Sequence, residues 1–312
     1  MDRKIGVRPY VDFAFRKVFS KPGNEPCLIS LLNAILNKTP PIESVQIQNP
    51  FSIHEFQEDK GYCVDVKAID QAGHVFIVEV QIVLTDNFQK RALFYACSAY
   101  TDQLRKGNGY EDLKPTYCIS ILTRKLFPDS LLHHRITLSE KTGRQLDDTI
   151  EIHTIELAKY NTSLEGTRDS SLLDQWCYWI KNAHLHGEPE LLSLSQAPPI
   201  RQATMELRDI QNKSEEKAMY DSREKAILDY ESNLIDARSE GRRLGREEGR
   251  EEGREEGRDE GEKIGMEIGR IQLLQELLGI EISAITSLKP VPLQQLTTLR
   301  EALQNQLRDR SA

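Results

Sequence analysis

No stretch of the sequence approaches the ~18 consecutive apolar residues of a membrane span, and the opening MDRKIGVRPYVDF has no apolar leader segment. Neither membrane insertion nor secretion is expected. Cysteine is scarce: the five residues, at 27, 63, 97, 118 and 177, are odd in number, widely spaced and without a CxxC pair. That disfavours a disulfide framework or a sulfur-ligated zinc site and fits reduced thiols in a cytoplasmic protein. The phosphate loop GxxxxGK[ST], the GxSxG elbow and HExxH are all missing, so ATP-driven, serine-hydrolase and zincin chemistry have no motif behind them. A basic excess is missing too, since the net charge is -8. Divided along the chain, residues 1 to 125 carry 16 basic against 14 acidic groups and the remainder 25 against 35. The acidity therefore belongs to the C-terminal part, and a DNA-binding N-terminal domain is permitted though no dense basic patch demands one. Apolar residues make up only 38% and charged residues 29%, which places part of the chain outside any core.

What is present reads first as two short helices, YVDFAFRKVF and CLISLLNAILN, separated by a glycine- and proline-marked turn. VQIQNP, YCVDVKAID and HVFIVEVQIV follow as strands, the last two forming a hairpin around Gln71-Ala72-Gly73. Residues 86 to 106 have helical periodicity, PTYCISIL is a compact strand, TIEIHTIEL a further one, and a helix from about Ser171 to His184 carries both tryptophans as packing residues. The order is that of a mixed α/β domain. His133-His134 and His184-Leu185-His186 read as an exposed pair and a helix end, with no metal-ligand companions.

Pro198-Pro199 marks the end of the compact region, and residues 201 to 240 read as an exposed helix or helix pair. Glycine then recurs every fourth residue at 241, 245, 249, 253, 257, 261, 265 and 269. At ~100° per residue each glycine lies about 40° further round a helix than the last, so the glycines trace a slow spiral. Each costs roughly 1 kcal/mol relative to alanine. Arg and Glu pair favourably at three-residue spacing within the repeat, while like charges recur at four. A solvated spacer and a self-association helix both remain open. Residues 271 to 312 hold two amphipathic stretches joined by LKPVP and fit a small helical module.

The hairpin carries the chemistry. Alternation places Cys63, Asp65 and Lys67 on one face of its first strand and Ile77, Glu79 and Gln81 on one face of its second. Neighbouring strands lie ~4.8 Å apart, so Asp65 and Glu79 could share one hard divalent cation. An exposed sheet face with its polar residues turned outward is the other reading of the same spacing.

Asp65 followed on the next strand by Glu79-Val80-Gln81 resembles the PD-(D/E)XK nuclease signature, in which an Asp and an acid-x-Lys element on neighbouring strands bind magnesium and activate water. YVDFAFRKVF, DKGYCVDVKAIDQAGHVFIVEVQ, KRALFYACSAYTDQL and LKPTYCISIL together resemble the PD-(D/E)XK nuclease family transposases, the recombination-promoting nucleases of bacteria. The likeness covers residues 7 to about 125 and extends less specifically to EKAILDYESNLIDARSEGRRLG, the glycine repeat and the tail. It implies a restriction-endonuclease-like fold, Asp65 and Glu79 as ligands of Mg2+ (with Mn2+ as a substitute), and Gln81 where the parent signature has lysine. Gln supplies no positive charge, and Lys67 is the residue on the Asp65 face that would replace it. Arg91 and Tyr95, one helical turn apart, and Lys17 match positions that would face DNA. Asp12 also matches a family position, and it reads equally as a helix N-cap.

These expectations divide the chain into a nuclease-like domain over residues 1–200, a helical arm over 201–240, the glycine repeat over 241–270 and a helical tail over 271–312. The function they imply is metal-dependent cleavage of DNA phosphodiesters in recombination or transposition, by a homo-oligomer joined through its C-terminal helices. The competing class is an inactive nuclease fold serving as an oligomeric DNA-binding or protein-interaction module, which Gln81 and the acidic tail favour.

Overall fold

The computed structural model describes residues 3–49, 51, 64–105, 107, 109–145 and 149–311. Two helices open it, α1 (Asp12–Ser20) and α2 (Glu25–Leu36), followed by β1 (Val45–Ile47), β2 (Val66–Asp70) and β3 (Val75–Gln81). Helix α3 (Phe88–Thr101) leads to β4 (Thr116–Leu122), β5 (His133–Thr137) and β6 (Ile150–Glu156). Helices α4 (Leu164–Arg168), α5 (Leu172–Asn182), α6 (Glu188–Leu192) and α7 (Pro198–Asn212) follow. Then come α8 (Ser214–Leu278), α9 (Ile285–Leu288) and α10 (Leu293–Ser311). The six strands form one mixed sheet in the order β1-β2-β3-β4-β6-β5, with β3-β4 and β4-β6 parallel and the remaining neighbours antiparallel.

The period of two along β3 sorts its side chains onto two buried faces. Phe76, Val78 and Val80 join Val66, Ala68 and Ile119 in the main core, against Phe13, Phe19, Leu28, Trp176 and Trp179 of the flanking helices. Val75 and Ile77 lie on the opposite face with Cys118, under Ala96 and Ala99 of α3. The sheet is therefore sandwiched, and its central strands read as nearly continuous apolar runs because both faces are covered. The β2-β3 turn forms as its sequence demands: Gly73 takes a φ of +85°, and the Asp70 carboxylate accepts from the N–H groups of Ala72 and His74.

The edge strand β5 goes unseen in the sequence because His133-His134-Arg135 lacks the apolar alternation of a strand. The two histidines are not an exposed pair. His133 Nε2 lies 2.9 Å from His153 Nδ1, and His134 Nδ1 lies 3.3 Å from Glu156 Oε1. Nor do the two prolines end the packed region. They occupy the first turn of α7, where a missing N–H costs nothing, and Ile200, Ala203, Leu207 and Ile210 of that helix are fully buried. The first compact unit continues to Glu231 and the second spans Ser232–Ala312. In the second unit, residues 235–263 of α8 are all exposed. Ile268, Ile271 and Leu278 of α8 then pack with Leu288, Leu296 and Leu303 in a small core of their own. Among the described residues no helix is long and apolar enough to cross a membrane.

Candidate active site

Strand β3 places Glu79 near its C-terminal end, in register with Ser120 of β4. Glu79 is 6% exposed, which overturns the reading of an outward-facing polar strand face. On the neighbouring strand Val66 stands opposite Val78, so Asp65 falls beside Glu79 and Val80 one residue before β2 begins. It occupies a bend, and its Oδ2 accepts the Val80 N–H at 2.8 Å. That bond fixes the carboxylate against β3. Cys63, expected on the same face, lies outside the described residues.

Burial raises the Asp65 carboxyl to about 8. The Val80 N–H and the nearby Arg16 charge pull it down, while the charges of Glu79 and Asp12 push it further up. Burial likewise raises Glu79 to about 7, against the opposing pull of the Arg91 charge and of a hydrogen bond from Gln81. Gln81 spans the two: its Nε2 donates to Glu79 Oε2 at 3.4 Å, and its Oε1 accepts from Arg91 Nη2. The guanidinium thus lies one hydrogen bond beyond Gln81.

Gln81 and Arg91 line a cleft of about 430 Å3 with Tyr10, Asp12, Val80 and Arg223 among others, while Asp65 and Glu79, bonded to Val80 and Gln81, are not themselves among its lining residues. Asp12 does not cap α1, since Val11 is the N-cap residue and Asp12 the first helical one. Its Oδ1 accepts from the Phe13 N–H at 2.7 Å, and its Oδ2 faces Arg223. Arg223 and Tyr230 come from α8, and sequence reasoning missed them. The signal was Met219, Tyr220 and Ile227, the apolar residues by which that charged segment packs onto the main core.

Three expected residues are not gathered into the cleft. Lys67 stands opposite Ile77, two residues short of Glu79 on β3, and is not among the cleft-lining residues. Lys17 is 1% exposed and ion-paired with Glu216 on α8, with Glu206 Oε2 at 3.6 Å, so its ammonium holds helices together and faces no solvent. Tyr95 is half-buried beside Phe94, one turn beyond Arg91, and does not line the cleft.

Two carboxylates that share a buried corner repel each other and are poorly solvated, and a compact divalent cation relieves both penalties. Two carboxylates are hard donors of the kind that suit magnesium or manganese, and among the described residues no third Asp, Glu, His or Cys gathers with them into a metal-holding group. A family model for PD-(D/E)XK nuclease family transposases matches residues 9–237. The chain belongs to this family. Its mixed six-stranded sheet with flanking helices fits the restriction-endonuclease-like fold of PD-(D/E)XK proteins. No curated protein and no solved structure matches the chain. The match takes in β2, β3, α3 and the part of α8 that walls the cleft.

Proposed function

We propose that this PD-(D/E)XK family member is a DNA endonuclease that hydrolyses phosphodiester bonds with a divalent cation, in the cytoplasm, in the setting of recombination or transposition. The observation that carries the reading is the Asp65–Glu79 corner, where two carboxyls raised by burial are bonded to Val80 and Gln81 of the cleft wall. Asp65 and Glu79 would hold magnesium, or manganese in its place. Held there, the ion would supply Lewis acidity toward the phosphate and would make a nearby water easier to deprotonate. Val80 keeps Asp65 aimed by its N–H, and Gln81, tied to Glu79 and Arg91, orients the attacking water through its amide. Arg91 supplies the positive charge that Gln81 lacks and offsets charge developing on the phosphate. A homo-oligomer joined through the C-terminal helices would set two such clefts across one duplex.

Purified protein incubated with supercoiled plasmid under Mg2+, Mn2+ or EDTA tests the reading. Nicked or linear plasmid with either metal and intact plasmid with EDTA are expected. Binding of DNA without cutting under all three conditions would make the protein an inactive nuclease fold instead.

A further inference from the structure

Helix α8 brings Tyr230, 52% exposed, to the same cleft as Gln81 and Arg91. Tyr10 of the opening segment lines that cleft as well, its ring edge-on to His184 with 6.1 Å between centroids. Neither tyrosine has a part in the chemistry described so far. A smaller hollow of about 220 Å3 adjoins the cleft and shares Tyr10, Ile82 and Ile227 with it, so the two make one groove along α8. Arg91 and Arg223 line its larger end, Arg8 and Arg124 its smaller one. Three of these guanidiniums meet carboxylates that also line the groove: Arg223 meets Asp12 at 2.6 Å, Arg8 meets Glu224 at 3.4 Å and Arg124 meets Glu231 at 2.9 Å. Arg91 bonds the neutral Gln81 amide instead. The α8 wall is firmly seated, since Tyr220 is fully buried with its hydroxyl accepting the Arg8 N–H at 2.9 Å, Glu216 is buried against Lys17, and Ile227 packs on the main core.

We propose that this groove takes one unpaired DNA strand, its bases on Tyr10 and Tyr230 and its phosphates on the four arginines, so that the substrate class is single-stranded or locally opened DNA and not intact duplex. The inference rests on the nuclease reading above for its choice of DNA, and it deepens that reading. Aromatic rings interleaved with cationic side chains along a groove are what an unpaired strand needs, because every base has a face to stack and every phosphate a charge to meet. In a duplex those faces are stacked on one another, and exposing one costs energy. Pockets of ~300 to 1,000 Å3 hold single small ligands, and the cleft, at about 430 Å3, has the room of a nucleotide. A guanidinium matches a phosphate as it matches a carboxylate. With Arg124 63% exposed, its pair to Glu231 adds little to stability and exchanges readily for a phosphate. Val80 and Gln81 of the same wall are bonded to Asp65 and Glu79, so a phosphate held at Arg91 lies beside the residues that reach the two carboxyls. In the proposed oligomer each groove would take one strand of an opened duplex.

Binding in EDTA separates this inference from cutting. A fluorescein-labelled DNA strand of about 16 nucleotides, alone or annealed to its complement, is titrated with the full chain and read by fluorescence anisotropy. The single strand should bind about tenfold more tightly than the duplex, the worth of one stacked base. Tyr230→Ala should lose that advantage and Tyr230→Phe should keep it, because stacking needs the ring and not the hydroxyl. Arg124→Gln should weaken binding of the strand and lower the slope of log affinity against log salt by about 0.7. Tyr110→Ala, which removes an 83% exposed aromatic that does not line the groove, should change nothing. Duplex bound as tightly as the strand by the wild type, or a strand preference that survives Tyr230→Ala, overturns the proposal. The underlying reading fails separately: a strand preference that depends on Tyr230, together with plasmid left intact in both Mg2+ and Mn2+, would keep the groove as a single-strand site and remove the nuclease.

Discussion

Asp65 and Glu79 have carboxyls raised to about 8 and about 7 by burial, and this has a thermodynamic sign. Unfolded carboxyls titrate near their ordinary values, so between about pH 4 and pH 8 the folded protein holds protons that the unfolded chain has released. The stability contributed by the neutral forms is complete below that window and is lost as pH rises through the folded values. In EDTA the protein should therefore melt at a lower temperature at about pH 9 than at about pH 6, and Asp65→Asn should narrow the difference. An unchanged difference in that variant would mean the Asp65 carboxyl is not raised. Metal affinity should rise over the same range, because protons and cation compete for the same oxygens. Asp65→Ala or Glu79→Ala should abolish metal-dependent cutting while leaving the circular dichroism spectrum intact. Gln81→Lys should retain or raise activity, since an ammonium there would pair with Glu79 and add to the positive charge of Arg91.

Helix α8 shows what an element can do at a cost. A Cβ built on any of the eight glycines from Gly241 to Gly269 meets nothing within 4 Å, so alanine would fit at each within this chain. Gly249→Ala with Gly253→Ala should raise helix stability by about 1 kcal/mol per site. If close approach of a second chain is what the glycines serve, the same variant should self-associate more weakly despite its greater helicity. Sedimentation velocity with circular dichroism separates the two effects. Higher helicity with unchanged association would leave the repeat as a spacer. The end of α8 needs no such partner. Gly279, at a φ of +69°, closes the helix, and the Ile280 N–H reaches back to the Gln275 carbonyl at 3.1 Å, which turns the chain so that α10 covers Ile271 and Leu278.

For the molecule as a whole, the two units divide the labour. The sheet, the cleft and the α8 residues that wall it belong to the unit ending at Glu231, and the glycine repeat belongs to the unit after it. Removing residues 241 to 270 should therefore weaken self-association and spare cleavage at the Asp65–Glu79 corner. The salt dependence of sedimentation for full-length and deleted proteins measures the first effect, since Arg–Glu pairs between chains weaken as salt screens them. Plasmid cutting measures the second. Identical monomeric profiles across the series would remove the argument for an oligomer, and loss of cutting by a folded deletion protein would tie the repeat to the site.

Local pattern determined the hairpin, the alternation of β3 and the four-residue glycine period, because each depends only on residues within a few positions of one another. Asp65, Glu79 and Gln81 were legible as one cluster for that reason, because a two-residue period and a tight turn bring them together, whereas Arg91 was reached only through the family resemblance. Edge strand β5 was not, because pairing to β6 and not its own polar sequence makes it a strand. Tertiary structure alone decided that Lys17 is buried under Glu216, that Lys67 stays out of the cleft, and that Asp12 meets Arg223 across 211 positions of sequence. A charged amphipathic helix encodes which of its faces is apolar but not which surface will cover that face. Only the packing of α8 onto the main core brought Arg223 to the cleft.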